Sequence, residues 1–265
     1  MPETLASLGQ FSVMSIIMQK GQVMLLIVPP CHCLISRTLV FDELKSRISE
    51  TAMHDSLARY PPPLCHPKTR EKVLKTISDW IDDSYPRQRI MWLNGPAGAG
   101  KSAITQTISE RCKDNRLAAS FFFLRNTPYR GVADRLFFTL AWQLAKSIPE
   151  TRPYIETALQ MEPLLYAKSI NIQFNQLIGE VFEHLHDKPI LRPEGSFVII
   201  DGVDECATER DQKLFLALIA GALAHTSIPL RFLSCSRPGS YQGNVQLGKH
   251  EKRHACRCIR RKVCT

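Results

Sequence analysis

Apolar residues run along this chain in two rhythms, and the rhythms alternate. Short continuous runs lie at 90–94 (Ile-Met-Trp-Leu-Asn), 118–124 (Ala-Ala-Ser-Phe-Phe-Phe-Leu), 197–201 (Phe-Val-Ile-Ile-Asp) and 230–235 (Leu-Arg-Phe-Leu-Ser-Cys). They have the length of buried strands, and their β-branched and aromatic residues suit that setting. Between them apolar positions return every three or four residues. Val73, Leu74, Ile77, Trp80 and Ile81 give one face to a helix opening at Thr69 and closing near Asp83. Ile104, Ile108 and Cys112 do so over 101–113, and Val132, Leu136, Leu140 and Leu144 over 132–148, where Pro149 ends the pattern. Further helices are predicted over 154–160, 174–186 and 209–225. Strands alternating with helices predict an α/β fold of three layers, a mostly parallel central sheet with helices on both faces.

Upstream the pattern is weaker. Leu44, Ile48 and Ala52, four apart, allow a helix over 39–56, and the proline cluster Tyr60-Pro61-Pro62-Pro63-Leu64-Cys65-His66-Pro67 reads as an extended linker. Apolar stretches at 11–18 and 23–28 are split by Gln19-Lys20-Gly21-Gln22. Neither reaches the roughly 18 residues a membrane-spanning helix needs. The first basic residue is Lys20, so the first stretch lacks the preceding positive charge of a secretory signal, and 23–28, though it could be a short signal core, has the wrong flanks. The expected organisation is a poorly determined, partly helical segment over 1–51, a linker and lead-in helix over 52–86, a core over 87–238, and a basic, disordered tail over 239–265.

Chemistry enters directly after the first strand. Gly95-Pro96-Ala97-Gly98-Ala99-Gly100-Lys101-Ser102 fits G-x-x-x-x-G-K-[ST], the phosphate-binding P-loop. Glycines let the backbone turn its N–H groups inward onto phosphate oxygens. Lys101 would meet the β and γ phosphates, Ser102 would offer a hydroxyl to Mg²⁺, and the following helix would point its positive end at the same anion. A chance match in a chain of this length has a probability of roughly one per cent. The flanking strand and helix supply the context the motif needs. Residues 98–103 also fit the looser G-x-G-x-x-A dinucleotide fingerprint, against which the Lys-Ser pair argues.

About a hundred residues on, the run 197–200 ends in Asp201, where a carboxylate can hold Mg²⁺ beside the P-loop serine. Asp204 and Glu205 follow, placed to orient or deprotonate an attacking water, with helix capping as the competing role. The run 230–235 leads into Ser236-Arg237-Pro238, where Arg237 could sense a γ-phosphate or be a plain surface residue.

Composition narrows this picture a little. A 44% hydrophobic and 8% aromatic content suffices for a packed core. The nine cysteines include no C-x-x-C pair, so a zinc ribbon is not expected and free thiols are, which together with a P-loop fold places the chain in the reducing cytoplasm. The net charge of +9 invites a nucleic-acid partner, but six of those charges sit in 239–265, where seven basic residues face Glu251. Neither a nucleic acid nor a membrane is therefore assigned as partner.

Taken together, Ala52-Met53-His54-Asp55-Ser56, the proline linker, Cys65-His66-Pro67-Lys68-Thr69-Arg70, the P-loop, Phe121–Phe123, Asp201-Gly202-Val203-Asp204-Glu205-Cys206 and Ser236-Arg237-Pro238 resemble the NACHT group of signal-transduction (STAND) P-loop NTPases, in the form common in mushroom-type fungi. The resemblance spans about 52–238. It implies ATP or GTP bound with Mg²⁺, slow hydrolysis, and self-association on activation. It assigns phosphate binding to the loop, Mg²⁺ to Ser102 and Asp201, water activation to Asp204 or Glu205, and γ-phosphate sensing to Arg237. It places base contacts in loops before Arg70. It also implies a fifth core strand beside the P-loop strand. Only four are read here, so the chain resembles a member cut short. The competing readings are a nucleotide-binding module that does not turn over, and a nucleic-acid binder acting through the tail. The absence of an Asn-Lys-x-Asp motif disfavours a small GTPase, and the Asp-Gly-Val-Asp-Glu pattern points away from a small-molecule kinase.

Overall fold

The fold was read from a computed structural model, which describes residues 14–19, 22–27, 32–190, 195–225 and 228–238. Contacts divide the chain into two units, Met1–Glu43 and Leu44–Thr265. In the first, β1 (Met14–Gln19) and β2 (Gln22–Ile27) pair antiparallel with Gln19 opposite Gln22. The described parts of the two apolar stretches thus pair as antiparallel strands. No described helix is long and apolar enough to cross a membrane.

A helix, α1 (His32–Arg47), stops well short of the expected residue 56. The cause is tertiary: the Ser49 amide donates to Thr139 Oγ1 at 2.8 Å, and residues Glu50–Ala52 make one tight 3₁₀ turn. The second unit continues with α2 (Glu71–Asp82), β3 (Ile90–Asn94), α3 (Lys101–Cys112), β4 (Leu117–Phe122), α4 (Leu136–Ser147) and α5 (Arg152–Met161). Next, α6 (Ile170–Phe174) passes through a π-helical turn, Asn175–Gly179, into α7 (Glu180–His184). The chain then forms β5 (Phe197–Asp201), α8 (Glu209–His225) and β6 (Arg231–Ser236).

The four core strands are all parallel, in the order β3-β6-β5-β4. This is the α/β, P-loop-NTPase-like architecture the apolar rhythm predicts, with four core strands among the described residues and the P-loop strand β3 at the sheet edge. Alternation along the strands separates the two faces. Phe197, Ile199, Leu233 and Cys235 pack with Leu74, Ile77 and Ile81 of α2 and Ile104 and Ile108 of α3. Towards the other face Phe123 stacks on Phe215 of α8, and Phe137 of α4 meets Phe174 of α6.

Two boundaries move for reasons visible in the backbone. The strand expected to reach 124 ends at Phe122, because the Leu124 amide turns to the Arg130 carbonyl. The helix expected from 132 starts at Leu136. The Gly131 carbonyl accepts from the Ala207 amide, and the first helical contact is Leu136 N to Ala133 O. The basic tail, with Cys256 and Cys258, lies outside the described residues.

Candidate functional site

Parallel strands end together at their carboxyl edge, and register brings the candidate chemistry to that edge. Asn94 pairs with Ser236 across β3 and β6, and Phe122 pairs with Asp201 across β4 and β5. The P-loop leaves β3 there, anchored by Gly95 N to Ser236 O at 3.4 Å, and enters α3 with Gly100 at φ +81°. Gly98 has φ +74°, so both glycines hold conformations that side chains disfavour. Among the described residues a Cβ at Gly98 would meet nothing within 4 Å, and one at Gly100 would meet only Arg70 Nε at 4.0 Å. Pro96, Ala97 and Gly98 are exposed and Ala99 half-buried, so the loop presents an open backbone face. Lys101 arches back over it, its ammonium donating to the Gly95 and Pro96 carbonyls at 2.7 and 3.0 Å.

Ser102 and Asp201, ninety-nine residues apart, meet directly. The Ser102 hydroxyl donates to Asp201 Oδ2 at 2.6 Å, and Thr105, one turn along α3, reaches Oδ1 at 3.3 Å. Asp201 is 4% exposed. Burial pushes its carboxyl above the ordinary range, opposed by the Ser102 bond, the Arg59 charge, and bonds from Cys235 and Thr105. Cys235 beside it is pushed well up as a thiol, first by burial and then by the Asp201 charge. A carboxylate with two hydroxyls is a hard oxygen donor set suited to Mg²⁺. The buried Asn94 Oδ1, just before the loop, has no hydrogen-bond partner among the described residues. The residues present therefore fit a phosphate with a magnesium ion.

The remaining acidic residues lie on a short shelf beyond β5. Gly202, at φ +69°, turns the chain, and Val203–Glu205 form a 3₁₀ turn. Asp204, 7% exposed, accepts from the Arg237 amide at Oδ1 (2.9 Å) and lies 3.1 Å from Arg237 Nε at Oδ2. Glu205 accepts from the Arg125 amide at 3.2 Å. The three residues expected to activate water and sense phosphate thus come together, with both carboxylates engaged by protein groups.

Sequence reasoning missed several neighbours. Arg59 lies with its guanidinium carbon 3.7 Å from the centroid of the Phe122 ring, and Arg130, 6% exposed, donates to the Phe122 carbonyl at 3.1 Å. Burial pushes Arg59 down to about 10 and lowers Arg130 as well; Asp201 opposes both shifts. Thr105 had a legible signal, since it stands one helical turn from Lys101 and Ser102. The two arginines had none, because their sites are set by tertiary contacts.

The sequence model of the family described as "Nephrocystin 3, N-terminal" matches residues 68–237. The vegetative incompatibility protein HET-E-1 of Podospora anserina is 29% identical over 158 residues, 57% of this chain. The match spans only 11% of that relative's length. Both similarities uphold the resemblance to the fungal NACHT type, over part of the chain.

Proposed function

Since the chain belongs to the family described as Nephrocystin 3, N-terminal, we propose that residues 87–238 bind a nucleoside triphosphate with Mg²⁺ and act as a switch in a cytoplasmic signalling protein that self-associates on activation. ATP is placed ahead of GTP in this reading, and the missing Asn-Lys-x-Asp motif speaks only against a small GTPase. The observation that carries this reading is the 2.6 Å bond between Ser102 and Asp201 at the mouth of an open glycine loop.

In this reading the amides of residues 95–102 and the N-terminal end of α3 take the β and γ phosphates. Lys101 exchanges its two loop carbonyls for phosphate oxygens, a stronger charge-assisted contact. Ser102 and Asp201 hold Mg²⁺, which supplies charge neutralisation between the phosphates. Asp204 or Glu205 orients the attacking water, and Arg237 reads the γ-phosphate. Hydrolysis is slow.

A specific observation favours a second reading, binding without turnover. Asp204 is already paired with Arg237, and Glu205 with the Arg125 amide. A carboxylate so engaged must release these partners before it can hold an attacking water. Calorimetric titration with Mg-ATP, Mg-ADP and Mg-GTP tests the shared claim, and no heat with any of them overturns it. Phosphate release by the native chain, abolished in Asp204→Asn, supports the switch that hydrolyses; binding without release supports the second reading.

A further inference from the structure

We infer that Arg59, in the segment upstream of α2, is a positioning residue for the magnesium face of the nucleotide site, clamping the helix that carries Ser102 to the strand pair that carries Asp201. The inference rests on the reading of that site given above.

The clamp is built from three contacts. Arg59 Nε and one terminal nitrogen both donate to Gln106 Oε1, at 3.0 and 2.8 Å. Its planar face lies against the Phe122 ring, a stacked cation–aromatic arrangement that guanidinium favours. The anion that favours its charge is Asp201, and no carboxylate forms an ion pair with it among the described residues.

What the clamp joins is the point. Gln106 stands four residues after Ser102 on α3, so the two share one helix face. Phe122 is the register partner of Asp201 in the sheet. Arg59 therefore bridges the residue one turn behind Ser102 to the residue beside Asp201. A shift of α3 along β5 that lengthened the Ser102–Asp201 bond would have to break this fork or lift the guanidinium off its ring.

The segment around Arg59 is held so that it can do this. Gln106 is fully buried, and its amide donates to the His54 carbonyl at 2.8 Å. The His54 amide donates to Ser120 Oγ at 3.0 Å, and Ser120 is locked in turn by Gln143 of α4. Ala52 is completely buried and Ser49 is tied to Thr139. Residues 49–59 are thus a strap stitched to α3, β4 and α4, with Arg59 at the end nearest Asp201. An arginine that only filled a surface groove would not need a buried neutral acceptor on the metal-bearing helix.

Partners that orient a metal's ligands typically contribute about 10-fold to its affinity. The test compares nucleotide affinity with Mg²⁺ and with EDTA, by fluorescence of a labelled ADP, in the native protein and in Arg59→Lys. Lysine keeps the charge and loses the fork and the planar stack. The expected result is an affinity in EDTA within about twofold of native and a gain from Mg²⁺ reduced about 10-fold. An unchanged Mg²⁺ gain, or an equal loss in both conditions, overturns the positioning role. Hydrogen exchange on the native protein gives a reading that no folding defect can obscure. Mg-ADP, but not ADP in EDTA, should slow exchange at the Arg59 and Tyr60 amides, which donate to the Ser56 and Leu57 carbonyls, by at least about threefold. No slowing overturns the inference. A native protein that binds no nucleotide in either condition overturns the reading of the site and this inference together, whereas native binding with an undiminished Mg²⁺ gain in Arg59→Lys removes this inference alone.

Discussion

The P-loop and the acidic shelf face each other across the carboxyl edge of one sheet, and they are built in opposite ways. The loop is open: among the described residues nothing lies within 4 Å of where a side chain would begin at Gly98, and the Lys101 ammonium bonds only to carbonyls of its own loop. The shelf is closed. A Cβ at Gly202 would lie 3.1 Å from the Phe123 carbonyl, Asp201 and Asp204 are buried, and Asp204 and Glu205 are engaged by Arg237 and Arg125. The difference separates two tasks. An open loop can receive an anion by redirecting one exposed lysine, while a closed shelf must exchange buried side-chain and backbone bonds before it can act on one.

The largest effect should come from the open side. Replacing Lys101 by Met removes the charge proposed to meet the phosphates and should weaken nucleotide binding about 100-fold. Calorimetry checks this, and the melting temperature should hold within a degree or so, since the lysine bonds only to its own loop. A melting temperature that falls with the affinity would mean that the loop is braced after all.

Next come the two glycines, which compare the regions directly. Both have positive φ, so alanine strains each backbone by about 1 kcal/mol. Gly202→Ala adds a tight 3.1 Å contact with the Phe123 carbonyl and should cost about 2 kcal/mol in all. Urea unfolding of both variants should give the larger loss for Gly202; equal losses would deny that the shelf is the tighter region.

Loss of the Arg237 side chain should produce a smaller change. Its guanidinium is half exposed, so its pair with Asp204 contributes about 1 kcal/mol or less to stability. If it reads the γ-phosphate, Arg237→Ala should lower ATP affinity about 10-fold and leave ADP affinity unchanged. Paired titrations with the two nucleotides measure this, and an equal loss for both would remove the sensing role.

How far the sequence led follows the same division. Residues 95–102 are contiguous, so their chemistry could be read without knowing the fold, and Asp201 was marked by the buried strand it ends. Arg59 could not be found this way. Its acceptor Gln106 lies forty-seven residues away, and its place beside Asp201 depends on the register of Phe122 against β5. The strap was misread for a related reason. Leu44, Ile48 and Ala52 keep helical spacing, but the Ser49 amide is taken by Thr139 from α4, and a tertiary bond decides the local structure. Pairings of this kind carry no periodic signature.

The smallest effect concerns that strap. Burial lowers the His54 imidazole below 6.5, with Asp55 and Glu110 opposing. A base whose folded value is lowered leaves the unfolded chain to bind the proton first, so stability is present above about 6.5 and is lost as pH falls below it. His54→Gln should flatten that part of the stability-versus-pH curve, a difference of about a degree or two in melting temperature. A native curve already flat between pH 7 and pH 5.5 would contradict it.

The central claim is that Ser102 and Asp201 meet in order to hold Mg²⁺ against a bound nucleotide. It is tested most directly by measuring ADP affinity with and without Mg²⁺ in the native protein and in Asp201→Asn, which keeps the shape and removes the charge. The account predicts tighter binding with Mg²⁺ in the native protein, little change for Asp201→Asn in EDTA, and loss of nearly all the Mg²⁺ gain in that variant. A native protein whose affinity ignores Mg²⁺, or an Asp201→Asn variant that keeps the full gain, would contradict it.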